Sequence, residues 1–110
     1  MTQDMDVPQV PAADVPPDAY LVDVRQPEEW AAGHVPGALH IPMGELRDRH
    51  PEIERGREVY VICRSGTRSA YAAQALAGAG WDARNVRDGM VGWQAAGRPM
   101  TSESGTPFVA

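Results

Sequence analysis

Apolar positions along the chain fall into short runs separated by polar, turn-forming stretches, and two kinds of run alternate. Tyr20-Leu21-Val22-Asp23-Val24, Leu39-His40-Ile41 and Glu58 to Ile62 are short and rich in β-branched and aromatic residues, the pattern of strands buried on both faces. Val7-Pro8-Gln9-Val10-Pro11 reads as a short edge strand, because its prolines bar it from a sheet centre. Asp82 to Val86 is a weaker strand, assigned from its place between two helical signals.

Helical signals fill the gaps. Pro27 to Gly33 opens on proline, sets Glu28 and Glu29 against the positive end of the dipole, and stops at glycine. Met43 to Arg49 turns Met43 and Leu46 inward and is ended by Pro51, after which Glu52 to Arg57 reads as a charged surface loop. Arg68 to Ala79 carries alanine on nearly every face, with Tyr71 and Leu76 as its larger apolar contacts and Gly78 and Gly80 as left-handed closing positions. Met90 to Ala96 follows Asp88-Gly89, so Asp88 is its expected cap, and Met90, Val91 and Trp93 are expected to face the core. Ala12 to Val15 has room for one helical turn before Pro16-Pro17.

Alternation of this kind predicts an α/β fold: a mostly parallel central sheet of about five strands with helices on both faces. The boundaries are a flexible N-terminus over residues 1–6, one domain over residues 7–99 and an irregular C-terminal tail over residues 100–110. In such a sheet functional groups gather at the carboxyl ends of the strands. The lone cysteine, Cys63, stands at one such end, and Asp23 and Arg25 stand at another.

Composition narrows the classes. A chain of 110 residues holds one core. Its net charge of -5, with no basic run, argues against nucleic-acid and anionic-membrane partners. All ten basic residues are arginine, which excludes lysine Schiff-base chemistry. No apolar signal core follows the acidic start and no run approaches a membrane span, so the expected location is cytoplasmic. One cysteine excludes an internal disulfide framework, and His34, His40 and His50 share no ligand spacing, so neither metal nor other cofactor is expected.

The stretch Cys63-Arg64-Ser65-Gly66-Thr67-Arg68-Ser69 carries the chemistry. A thiol attacks only as its thiolate, which needs positive potential nearby. Backbone N–H groups from Arg64 to Arg68, the two guanidinium groups and the N-terminus of the following helix supply it. Ser65 and Thr67 add hydroxyls at the mouth, and Gly66 permits a turn tight enough to aim amides inward. The plainer reading of a lone cysteine is a small buried hydrophobe. An arginine-bearing loop between strand and helix is a poor place for inert packing, and the catalytic reading is preferred.

These residues, in order with Leu21-Val22-Asp23-Val24-Arg25, Pro27-Glu28-Glu29-Trp30, Gly33-His34-Val35-Pro36-Gly37-Ala38, Ile41-Pro42 and Gly89-Met90 with Trp93, resemble the single-domain rhodanese family of sulfurtransferases from about Val7 to Pro99. The resemblance implies that Cys63 takes sulfane sulfur from a donor such as thiosulfate, holds it as a persulfide and passes it to cyanide or a thiol. It also implies that Asp23 and Arg25 support the loop, together with Ser69; the alternative for Arg25 is an ion pair with Glu28 or Glu29. One departure is Asp88, where many family members have the first of two glycines. His34 is assigned a structural hydrogen bond, and Trp30, Trp81 and Trp93 are placed in or near the core.

Two competing functions are defined by the same loop. Tyrosine phosphatases place five residues between cysteine and arginine, whereas Cys63 and Arg68 enclose four, and Ile62 stands where a histidine commonly precedes that cysteine. A non-catalytic or redox-sensing module is the other alternative. The expected partners are a small sulfur donor and a thiol or cyanide acceptor, with a thiol protein as one form of acceptor; oligomeric state is left open.

Overall fold

The β-branched run Glu58–Ile62 forms the middle strand of a five-stranded sheet in the computed structural model, which describes residues 7–110. The strands are β1 (Gln9–Val10), β2 (Tyr20–Asp23), β3 (Leu39–His40), β4 (Glu58–Ile62) and β5 (Asp82–Val86), in the order β1-β5-β4-β2-β3 and all parallel. The expected α/β architecture is present, and Val7 to Pro11 does supply an edge strand. The fraying expected of Met1 to Asp6 lies outside the described residues.

Helices α1 (Pro27–Ala32), α2 (Leu46–Arg49), α3 (Thr67–Gly78) and α4 (Gly89–Ala95) connect or follow the strands. Two apolar clusters show that both faces of the sheet are covered. One joins Val22, Val59 and Val61 to Ala72, Ala73 and Leu76 of α3, with Met43 and Leu46 at its margin. The other joins Leu21, Tyr60, Ile62 and Val86 to Met90 and Trp93 of α4 and to Ala12 and Val15. The β2 connection leaves toward β3 while the β4 connection leaves toward β5, so the chain diverges between β2 and β4. Such a divergence opens a crevice at the carboxyl ends of the strands.

Several local expectations are corrected. Tyr71 is 66 % exposed and Val91 44 % exposed, so α3 packs through its alanines and α4 through Met90 and Trp93. Pro51 does not end helical structure: α2 stops at Arg49, and a 3-10 turn, His50–Glu52, takes Pro51 near its start, where a missing N–H costs nothing. Ile53, inside the supposed charged loop, is buried, and its carbonyl accepts the Trp81 indole N–H at 3.3 Å. Gly78 is helical, and only Gly80 takes a left-handed φ of 105°. Asp88 occupies the N-cap place without capping; its carboxylate accepts the Ala12 N–H at 2.7 Å.

The tail after Pro99 has no regular structure, yet it docks. A helix leaves its last carbonyls without intrahelical partners. In α1 these are filled from outside: the Trp30 carbonyl is 2.7 Å from His34 Nδ1, Ala31 O accepts the Glu103 N–H at 3.2 Å, and Ala32 O accepts the Phe108 N–H at 3.0 Å. Thr101 also pairs with His34 in an antiparallel bridge. Gly33 makes this approach possible, because a Cβ there would collide with the Phe108 backbone and the Met100 side chain.

Gly33→Ala is therefore expected to destabilise the fold by about 1–3 kcal/mol, the usual range for overpacking. Denaturant unfolding together with amide exchange at Phe108 measures it. Wild-type stability with unchanged exchange would show that the tail does not rely on this contact.

Candidate active site

Parallel pairing of β2 with β4 brings the ends of both strands to one rim, and the Val24 N–H to Ile62 carbonyl bond at 3.1 Å carries the pairing to the edge of the crevice. Cys63 follows immediately and is 1 % exposed. The chain then turns through Gly66, at φ 101°, into α3. A Cβ at Gly66 would strike the Arg87 carbonyl, so this position requires glycine for both its dihedral and its space.

The turn aims donors at the sulfur. The Gly66 N–H lies 3.1 Å from Sγ and the Ser69 hydroxyl oxygen 3.2 Å. Burial pushes the Cys63 thiol up, but the Ser69 hydroxyl and the N–H groups of Ser69, Gly66 and Ser65 outweigh it and bring the thiol below its ordinary value. The carbonyls of the same turn point away and take donors from α4: Cys63 O accepts the Met90 N–H at 2.8 Å and Arg64 O accepts the Val91 N–H at 3.0 Å. Gly89, at φ 56°, lets α4 come this close, since a Cβ there would lie 2.5 Å from the Cys63 carbonyl oxygen.

The expected site residues come together around this turn, with different tasks. Ser65 and Thr67 are exposed, and the hydroxyl that reaches the sulfur belongs to Ser69. The Arg64 Nε donates to the Ala110 carbonyl at 3.0 Å. Arg68 forms a two-pronged pair with Glu29 at 2.8 and 2.9 Å. Arg25 binds neither Glu28 nor Glu29. It is fully buried, donates to both carboxylate oxygens of Asp23 with a closest contact of 2.8 Å, and reaches the Gly33 carbonyl at 2.8 Å.

Residues 10–96 match the Rhodanese-like domain family. The chain belongs to this family. It is 38 % identical over 82 residues to the putative sulfurtransferase YtwF of Bacillus subtilis, covering 74 % of this chain and 80 % of that protein. It is 39 % identical over 89 residues to a sulfurtransferase of Allochromatium vinosum, covering 80 % of this chain and 83 % of the relative. Two other curated relatives are longer, and the chain spans 40 % of each. Among solved structures, a rhodanese-related protein from Thermoplasma volcanium superposes with a TM-score of 0.81 at 32 % identity, over 86 % of this chain and 97 % of that one. The family and these relatives support a role in sulfur transfer.

Within this rhodanese-like domain the sequence reading missed Asn85 and Gln9. Asn85 is 2 % exposed and touches both Ser69 and the Gly66 carbonyl. The available signal was a polar side chain two residues after Ala83 in β5, hence on the same buried face. Trp30 also does more than fill space: it stacks between His34 and His40 at centroid distances of 3.6 and 4.6 Å, and His40 Nε2 lies 2.8 Å from the Arg25 carbonyl. No helix among the described residues is long and apolar enough to cross a membrane.

The hydrogen bonds from Arg68, helped by the Gln26 N–H and opposed by burial, hold the Glu29 carboxyl at about 2 instead of 4.5. Its folded value lies below its unfolded one, so the stabilisation is fully present above about pH 4.5 and is lost as pH falls through about 2. In Glu29→Gln the stability should fall less steeply across that window, measured by urea unfolding at successive pH values. Parallel acid limbs for variant and wild type would overturn the assignment.

Proposed function

We propose that this rhodanese-like domain is a sulfurtransferase that carries sulfane sulfur as a persulfide on Cys63. The observation that carries the reading is the Sγ of Cys63 seated against the Gly66 N–H and the Ser69 hydroxyl at the head of α3. These donors favour the thiolate, the nucleophilic form of the sulfur.

With thiosulfate as donor, the thiolate attacks the outer sulfur, a new S–S bond forms on Cys63, and the bond to the sulfite group breaks with its electron pair leaving on sulfite. The terminal sulfur of the persulfide is then the anion. The N–H groups of Ser65, Gly66 and Ser69 already serve Sγ, so charge that moves one atom outward starts from a preorganised cradle. A cyanide or thiolate acceptor attacks that terminal sulfur and returns Cys63 as thiolate. No oxidant or reductant is consumed. The chain holds one cysteine, so the acceptor is external, either a small molecule or a protein thiol. At 1 % exposure, Cys63 is better matched to a donor that presents a single protruding sulfur than to a bulky ester.

Phosphoryl transfer is disfavoured by Arg68. A phosphate site needs a guanidinium free to fork two equatorial oxygens, and here both prongs are occupied by Glu29.

Incubation with thiosulfate alone should add the mass of one sulfur atom to the intact protein, and subsequent cyanide should remove it as thiocyanate. Cys63→Ser should abolish the mass gain and lower thiocyanate formation by at least about 10³-fold. Absence of both signals in the wild type would overturn the sulfurtransferase reading, and release of phosphate from an aryl phosphate in a Cys63-dependent manner would replace it.

A further inference from the structure

We propose that Asn85 is a positioning residue that sets the ionisation of Cys63 by competing with its sulfur for the single hydroxyl proton of Ser69. The inference rests on the reading of Cys63 as the working nucleophile, and it concerns how that nucleophile is poised.

Donor counting fixes every orientation in the chain of contacts. The Gln9 side-chain nitrogen faces the Val7 carbonyl at 3.3 Å, so the Gln9 side-chain oxygen faces Asn85. The Asn85 nitrogen spends one proton on that oxygen at 2.8 Å and the other on the Gly66 carbonyl at 3.1 Å. Both are acceptors, so the Asn85 oxygen must turn to Ser69, which it meets at 2.6 Å. Ser69 is fully buried and has one proton for two claimants, Asn85 Oδ1 at 2.6 Å and Cys63 Sγ at 3.2 Å.

With Cys63 protonated, both claims are met: the S–H points to the Ser69 oxygen and the Ser69 proton points to Asn85. With Cys63 ionised, the sulfur needs the Ser69 proton, and supplying it strips the buried Asn85 oxygen of its donor. Asn85 thus opposes ionisation, and the thiol stays above the value it would have with Ser69 unopposed. A persulfide moves the charge off Sγ, and the proton returns to Asn85. The hydroxyl follows the charge through the cycle.

Asn85 has little part in holding the turn itself. The Gly66 carbonyl has a second donor in the Ala70 N–H at 3.2 Å, and Gly66 is wedged against the Arg87 backbone. The charged groups around the turn are the buried Asp23–Arg25 pair from β2, Glu29 of α1 with Arg68 of α3, Arg64 in the turn, and Arg87 and Asp88 before α4. None is altered in the variants below.

Ultraviolet titration of the thiolate, with the tyrosinate signal removed by subtracting the same titration of Cys63→Ser, reads Cys63 alone, because the chain has one cysteine and three tyrosines. Asn85→Leu, which fills the site, and Asn85→Ala, which vacates it, should each lower the midpoint by about half to one pH unit, roughly three- to tenfold in thiolate below it. Ser69→Ala should raise the midpoint, and adding either Asn85 substitution to it should cause no further shift. A rise or no change in the Asn85 single variants, or an equal shift with and without Ser69, would overturn the proposal. The readout is independent of sulfur transfer, which the thiosulfate mass gain of the same variants reports separately.

Discussion

Everything at this rim follows from one demand of the peptide unit. A turn that points its N–H groups inward at a sulfur must point its carbonyls outward, and buried carbonyls need donors. Cys63 O and Arg64 O take the first amides of α4, and Gly66 O takes Ala70 N–H and the Asn85 amide. The last helix is therefore an acceptor-filling device as much as a packing element. Its N-terminal amides, which would otherwise bind solvent or an anion, are committed to the back of the sulfur-binding turn. At this junction Gly89 and Gly66 both bring backbone too close to backbone for a Cβ, and both take left-handed dihedrals.

The same accounting explains the neighbouring rim. Helix α1 is only six residues long, too short to stand on its own hydrogen bonds. It is held at its start by the reciprocal Gln26 and Glu29 cap and at its end by His34 and the tail. Glu29, fixed by that cap, then fixes Arg68. The buried Arg25 joins the β2 end to Gly33, the residue on which the tail lies. Cap, ion pair and tail thus form one connected support running from the edge of the molecule to α3, although none of them touches the sulfur.

The sequence displayed the parts of this structure that repeat with a period or carry a terminator. β5 begins and ends at Asp82 and Val86 as expected, and Pro27 with Gly33 marked α1 closely. Errors came where tertiary context overrode local pattern. Tyr71 and Val91 are apolar by type but lie on helix faces turned to solvent, and Pro51 continues a 3-10 turn that its residue type argued against. The cradle was legible because its glycine, arginines and cysteine are adjacent in the chain. Its outer layer beyond Ser69 was not, because Gln9 and Asn85 reach Ser69 only after β1, β5 and α3 are assembled, with Gln9 and Asn85 lying 76 positions apart in the chain. The motif also did not show that the carboxylate of Glu29 would share Arg68.

That last point bears on what the cradle is suited to hold. Arg25 is neutralised by Asp23 and Arg68 by Glu29, so the stabilisation of Cys63 comes mainly from oriented dipoles at hydrogen-bond distance. Dipoles act over a short range and do so best on a small anion that sits among them. A single sulfur carrying one negative charge, such as the Cys63 thiolate, fits that description. A phosphate dianion spreads charge over three oxygens and calls for free cations. Pairing Arg68 with Glu29 ties the start of α3 to α1 and leaves that guanidinium less free to meet a larger anion. The carboxylates behind the loop therefore shape this anion site along with the cysteine at its head.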